Sequence, residues 1–259
     1  MKQRRGVQSM DTGIRLLEVL ESADGPLALK DLSARAEIDP SSAHRYLASF
    51  VRSGLVRQEP DLRYDLGPLA LRIGLAAMQR LDPVQVTERA MPDLVAKTGH
   101  TALLSVWSNR GPTVVHWQRS KNPFTTNLAL GSVLPIYRSA TGIVMVAFLP
   151  EGVTAEAVAA EARRESVDRE AFARAVERAK KTRLAFVDSS VIPGLSAVSS
   201  PVLDWNGQAV AAVTLIGTDA ALGKPSHPAA QALRTVCERL SRDFGAQENR
   251  GPSLVLDAT

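Results

Sequence analysis

Two serines, a histidine and two arginines stand close together in IDPSSAHRYLASFVRSGLV, residues 38–56. Short hydroxyl side chains such as Ser41 and Ser42 both donate and accept hydrogen bonds. A guanidinium such as Arg45 forks onto a guanine edge or a phosphate. This is the chemistry of nucleic-acid contact. Covalent and metal chemistry is poorly served elsewhere in the chain. The single cysteine, Cys237, excludes an internal disulfide framework and a multi-thiolate metal site. His44, His100, His116 and His227 are scattered without metal-ligand spacing in the sequence. No Gly-x-Ser-x-Gly elbow, P-loop or dinucleotide fingerprint occurs. Ser199, Ser200 and Cys237 are nucleophiles by residue type alone. The expectation is a protein that is not an enzyme and needs no cofactor.

The serines and arginines need a helix to carry them. Wound at 100° per residue, Ala43, Tyr46, Leu47 and Phe50 form one apolar stripe. Ser41, Arg45, Ala48 and Arg52 lie opposite, with Ser42 and Ser49 on one flank and His44 on the other. Asp39 suits the N-cap, Pro40 the first turn and Gly54 the C-terminal stop. In isolation such a polar side reads as an ordinary solvated face. Its neighbours change that. SMDTGIRLLEVLES (9–22) is a helix ended by Asp24-Gly25-Pro26. LALKDLSARAEI (27–38) is a second, with Leu29, Leu32 and Ala36 inward and Ala34 small enough for close packing. Beyond Gly54, LVRQEPDLRYDLG (55–67) reads as two strands about a Glu59-Pro60-Asp61 turn, with Tyr64 and Leu66 facing inward.

Three helices and a hairpin in this order make a winged helix-turn-helix. Its recognition helix enters the major groove of double-stranded DNA, with its first residues at base edges. Ser41, Ser42, His44 and Arg45 then face the operator, Arg52 the DNA backbone, and Arg57 and Arg63 the phosphates beside the wing. Lys2, Arg4 and Arg5 form a basic arm suited to a minor groove. Net charge does not carry this reading. Residues 1–67 hold ten Lys/Arg and ten Asp/Glu, so the chain's formal +4 arises further on. Arrangement carries it.

PLALRIGLAAMQRL (68–81) is apolar on more than one face. It requires cover on more than one side, from a second copy of itself or from its own larger domain. Asp82-Pro83 closes this linker at residue 82. From 83 to about 250, hairpins alternate with helices without a strict βαβ rhythm, which indicates an α+β domain on an antiparallel sheet. The pieces are a helix stopped by Gly99, strands 101–107 and 113–119, and a helix near Gly142–Phe148. Charged helices follow at about 153–164 and 168–182, then strands 184–189, 195–204 and 208–217 with an Asn206-Gly207 hairpin turn. A last helix spans 227–245, and residues 251–259 are a tail. No run is apolar enough to cross a membrane, and Met-Lys-Gln-Arg-Arg-Gly opens without a signal-peptide core. The chain is expected in the cytoplasm.

Taken in order, VQSMDTGIRLLEVL, SSAHRYLASFVRSGLV, YDLG, GSVLPIYRSATG and GLSAVSSPVLDWNGQAVAAVTLIG resemble the IclR family of transcriptional regulators over nearly the whole chain. The resemblance implies a winged helix, a dimerising linker helix and a profilin- or GAF-like effector domain. It also implies a homodimer or a dimer of dimers acting as repressor or activator of small-molecule catabolism. The family's effector site maps onto Leu134, Ala140, Thr141, Leu195, Ala197 and Thr214. A helix start there binds a carboxylate through backbone N–H groups of Ala140, Thr141 and Gly142, beside Ser139. Two departures stand out. Tyr137-Arg138-Ser139 replaces the family's frequent His-Ala-Ser/Thr. Val187 and Ala197 stand where some keto-acid binders place Asp and Cys, with Asp188 one residue away. Tyr137, with Trp107 or Trp117, suits a larger or aromatic acid, while core packing is the competing role for each aromatic. Two rival functions are an enzyme and a ligand-binding module whose winged helix contacts protein.

Overall fold

The computed structural model describes residues 7–121 and 126–246. The expected basic arm at Lys2, Arg4 and Arg5 and the tail at 251–259 lie outside them. Chain contacts divide the protein after Leu81, so the linker helix belongs with the headpiece.

In the first unit α1 (Gln8–Glu21), α2 (Leu29–Arg35) and α3 (Pro40–Ser53) precede a two-stranded antiparallel hairpin, β1 (Val56–Gln58) and β2 (Tyr64–Leu66). Its core is built from Leu16, Leu20, Leu32, Ala43, Leu47, Val56 and Tyr64, so the apolar stripe of α3 does face inward. Asp39 caps α3 by accepting from the Ser42 N–H, and Gly54 ends it at φ 77°, a left-handed conformation that suits glycine. Three expectations fail here. Leu66 is exposed, because β2 is too short and too near the edge to bury more than Tyr64. Ala34 lies on the outside of α2 and lets nothing pack closely. The second helix is also shorter than expected, since residues 27–28 are spent bridging Leu27 to Tyr64.

The linker helix α4 (Pro68–Arg80) buries none of its residues. Leu71, Ile73, Leu75 and Met78 are all exposed on it, as is Leu81 just beyond.

The second unit is an α+β domain on one antiparallel sheet. Its elements are α5 (Pro83–Thr98), β3 (Thr101–Ser108), β4 (Gly111–Gln118), α6 (Ala140–Phe148), α7 (Glu151–Arg164), α8 (Arg169–Thr182), β5 (Ala185–Asp188), β6 (Ser196–Leu203), β7 (Ala209–Gly217) and α9 (Pro228–Asp243). Strand order is β4-β3-β7-β6-β5. Period-two alternation sends Ala102, Leu104, Val198, Val213 and Leu215 to one face, where residues of α5 and α9 complete the core. Leu103, Ala212, Thr214 and Ile216 point to the other face, toward α6. A short 3-10 turn, Ala220–Gly223, was not legible in the sequence. The β3–β4 turn is tighter than expected, with Gly111 already paired to Ser108. Among the described residues no helix is long and apolar enough to cross a membrane.

Candidate DNA-reading face and effector cavity

On α3 the outward residues are held by their own cap. Asp39 Oδ2 accepts from the Ser41 hydroxyl at 2.6 Å and from the Ser42 N–H at 3.1 Å. The Ser41 hydroxyl, then the Ser42 amide, hold the Asp39 carboxyl below its ordinary value. Arg45 Nη2 donates to Ser42 Oγ at 3.2 Å, which draws the guanidinium toward the N-terminal turn. Ser41, His44, Arg45 and Arg52 are exposed and Ser42 is half-buried. The wing differs. Arg57 pairs with Asp65 at 2.7 Å and Glu59 at 3.0 Å, and Arg63 with Asp61 at 2.6 Å. Both wing guanidiniums are therefore matched by carboxylates on their own hairpin, which the sequence spacing did not reveal.

In the second unit, strand register assembles the effector site. Thr214 lies opposite Leu103 on one side and Ser199 on the other, and Ile216 lies opposite Ala197, which in turn pairs with Val187. The start of α6 covers this part of the sheet. The resulting cavity of ≈ 40 Å³ is lined by Leu134, Ser139, Ala140, Thr141, Leu195, Ala197 and Thr214, all seven of them expected. Leu103, Leu128, Val187, Val191, Ile192, Ser196 and Ile216 complete the wall. Ile216 and Leu103 were findable, because they share the sheet face and cross-strand rows of Thr214. Nothing in the sequence marked Val191 or Ile192, which come from an irregular segment.

Two expected residues are not on the wall. Tyr137 turns away to pack on Phe172 of α8, with ring centroids 4.5 Å apart. Gly142 gives its N–H to Ser139 Oγ at 2.9 Å, and a Cβ there would run into the Ile136 backbone. Its N–H is taken by the cap and its lack of a side chain allows the close approach of Ile136. Asp188 is exposed and accepts from Ser196 Oγ at 2.8 Å, leaving Val187 as the residue facing the cavity. Trp107 packs in the core around α6, and Trp117 packs behind the cavity against Leu103, Val114, Leu134 and Ile216. Core packing is the observed role of both.

The polar end of the cavity has a definite proton order. Ser199 Oγ lies 3.3 Å from the Val213 carbonyl, which can only accept, so Ser199 donates there. Thr214 then donates to Ser199 at 2.9 Å, and Thr141 must donate to Thr214 at 2.7 Å. The Thr141 proton is thus spent inside the protein. Ala140 and Thr141 occupy the first two helical positions, where backbone N–H groups have no carbonyl one turn earlier within the helix. A further anchor is Glu161 of α7, whose carboxylate accepts from the N–H groups of Ile136 and Tyr137 at 2.7 and 3.0 Å. It fixes the segment that carries Leu134 into α6.

The family model described as IclR helix-turn-helix domain matches residues 9–60, and that described as bacterial transcriptional regulator IclR C-terminal matches residues 75–242. The chain belongs to the IclR family. It is 28% identical to a glycerol operon regulatory protein of Streptomyces griseus, over 93% of this chain and 98% of that one. The crystal structure of Pseudomonas aeruginosa HmgR superimposes with a TM-score of 0.84 at 32% identity, covering 94% of this chain and 100% of that one. An IclR homologue from Microbacterium hydrocarbonoxydans, solved in complex with 4-hydroxybenzoate, shares the fold with a TM-score of 0.53 and 17% identity, covering 91% and 98%. This IclR-family chain is therefore a DNA-binding transcriptional regulator with a C-terminal effector domain, in a family of regulators and not of enzymes.

Proposed function

We propose that this regulator binds its operator as a homodimer, or as a pair of dimers, and that a small aromatic carboxylic acid in the cavity modulates that binding. The supporting observation is the cavity's polarity. Its wall is almost wholly apolar, and its polar residues are Ser139 and Thr141 at the start of α6, Thr214 of β7 beside them and Ser196 of β6. An acid binds with its carboxylate on the Ala140 and Thr141 N–H groups, where the helix dipole favours negative charge. Its body lies against Leu134, Leu195 and Ala197. For Thr141 to donate as well, the hydroxyl chain must reverse, with Ser199 donating to Thr214 and Thr214 to Thr141. The free cavity, at ≈ 40 Å³, is far below the roughly 150 Å³ of an apolar cavity that takes up benzene. A ring-sized ligand must therefore push out the wall formed by Val191, Ile192 and Leu195, and this displacement supplies the unequal binding to two states that a signal needs. The Microbacterium homologue, with its bound 4-hydroxybenzoate, supports an aromatic acid as the class to try first.

On α3, Arg45 with Ser41, Ser42 and His44 reads base edges, while Arg52 contacts backbone. Arg57 and Arg63 reach phosphates only by sharing their carboxylate partners. The uncovered apolar residues of α4 take a second copy of the helix. Leu75→Glu with Met78→Glu is expected to shift sedimentation toward monomer.

The deciding experiment is a thermal-shift screen of benzoate, 4-hydroxybenzoate and small keto acids, followed by operator binding with each stabilising acid. Tm rises with a bound acid by mass action, and operator affinity changes with the same compound. Stabilisation by keto acids alone would refute the aromatic reading. Operator affinity untouched by every stabilising acid would refute modulation.

A further inference from the structure

Away from the effector cavity, three segments bring metal-binding side chains together. His100 leads into β3, Asp219 follows β7 and His227 caps α9. Each offers one ligand atom, and these atoms lie within 4.8 Å of one another. His227 Nε2 is 3.3 Å from Asp219 Oδ2, and the two imidazole rings meet edge to face with centroids 5.5 Å apart. Each residue is only partly committed elsewhere. Asp219 uses Oδ1 to cap the following turn through the Ala221 N–H at 2.8 Å, leaving Oδ2 toward the histidines. The His100 ring makes no hydrogen bond to a described residue. It rests over Gly217, where a Cβ would sit 2.7 Å from Nδ1.

We propose that His100, Asp219 and His227 form a binding site for a divalent transition metal ion of the zinc type. Two imidazoles and one carboxylate are ligands that zinc accepts, with solvent as the fourth. At metal–ligand bonds of about 2.0–2.1 Å, tetrahedral ligand atoms stand roughly 3.4 Å apart. The trio must therefore contract, and His100, whose ring is hydrogen-bonded by no described residue, is the member free to rotate inward. Burial, then the neighbouring His227, hold the His100 pKa below its ordinary value, which favours the neutral form of the ring.

Proton placement sets the cost. His227 Nδ1 accepts the Ala229 N–H at 3.2 Å, so its ring proton sits on Nε2 and points at Asp219. A metal on Nε2 displaces that proton, the neutral ring carries its proton on Nδ1, and the long cap to Ala229 is lost to solvent. The weak cap and the His227–Asp219 contact are exchanged for three metal bonds. The ion would tie the start of β3, the loop after β7 and the first turn of α9 to one point. Competing ligands among the described residues are weak. Cys237 is fully buried, with its thiol pushed up to about 12 by desolvation, and His116 pairs with Glu88 at 3.2 Å.

The test is zinc titration of the untagged, metal-stripped full chain by calorimetry, with melting followed in parallel. One zinc ion per chain is expected, with Tm rising as zinc is added. His100→Ala and Asp219→Asn should each weaken binding by roughly tenfold or more, the scale of losing a supporting metal-site group. His116→Ala should leave it unchanged. Asp219→Asn keeps an oxygen for the Ala221 cap, so its folding without metal is preserved. Absence of stoichiometric zinc binding to the parent chain overturns the proposal. So does binding that survives both His100→Ala and Asp219→Asn.

Discussion

The protein has two helix N-termini that matter, and they are capped in opposite ways. At α3 the cap is the carboxylate of Asp39, exposed and already negative, and it takes the Ser41 hydroxyl and the Ser42 N–H. That charge offsets the positive end of the helix dipole and disfavours a phosphate at the helix tip. This favours the proposed reading, in which recognition comes from side chains along the outer face of α3, Arg45 above all. At α6 the cap is Ser139, neutral and buried, with its oxygen satisfied by the Gly142 N–H. The dipole there stays uncompensated, inside an apolar cavity where charge interactions are least screened. On the proposed reading, one local architecture serves base reading in one unit and acid binding in the other. The difference lies in one cap side chain and its burial.

The most severe way to break the contrast is to give α6 the cap chemistry of α3. Ser139→Asp puts a carboxylate where the ligand's acid belongs. Two like charges about 4 Å apart repel by roughly 4 kcal/mol at an effective dielectric near 20, about a thousandfold in affinity. Calorimetry with the acid found by screening checks this. Undiminished binding would put the ligand's acid elsewhere. Next comes Thr141→Val, which keeps shape and removes the chain's end nearest the ligand. The loss of a charged hydrogen bond costs about 1.5–3 kcal/mol of ligand binding, and the unliganded fold loses about 1 kcal/mol with the buried Thr141–Thr214 bond.

On the DNA side, Arg45→Ala should cost about 1–3 kcal/mol of specific operator binding, with the fold intact because the change favours helix. Arg57→Ala should cost less than Arg45→Ala, since Arg57 is shared with Asp65 and Glu59. Fluorescence anisotropy on the operator ranks the two, and the reverse order would make the wing the principal reader. The smallest effect is in acid. The folded Asp39 pKa lies below its ordinary 3.8. Its contribution to stability is thus full above the unfolded value and is lost as pH falls through the lower folded one. In Asp39→Asn this component of the headpiece's acid dependence should vanish, read as a Tm difference from the parent that narrows on acidification.

The sequence by itself determined α3, because its stripe, its Asp39 cap and its Gly54 stop are all local to one helix. It determined the 206–207 hairpin for the same reason, but it left open whether the larger domain covers α4, none of whose residues is buried. Six cavity residues were legible through the family resemblance, and Ser139 through its place at the start of α6. Only the tertiary structure decided where Tyr137 and Gly142 go, since Phe172 and the Ile136 backbone compete for them from outside the local pattern. It alone set the order Thr141, Thr214, Ser199 and Val213, which depends on pairing β7 with β6 and laying α6 across them. It likewise brought together His100, Asp219 and His227, which no spacing in the sequence connects. Helical periodicity and capping are local and can be read along the chain. Strand register and the contacts of an irregular loop are not local, and those are what shape a cavity and choose its neighbours.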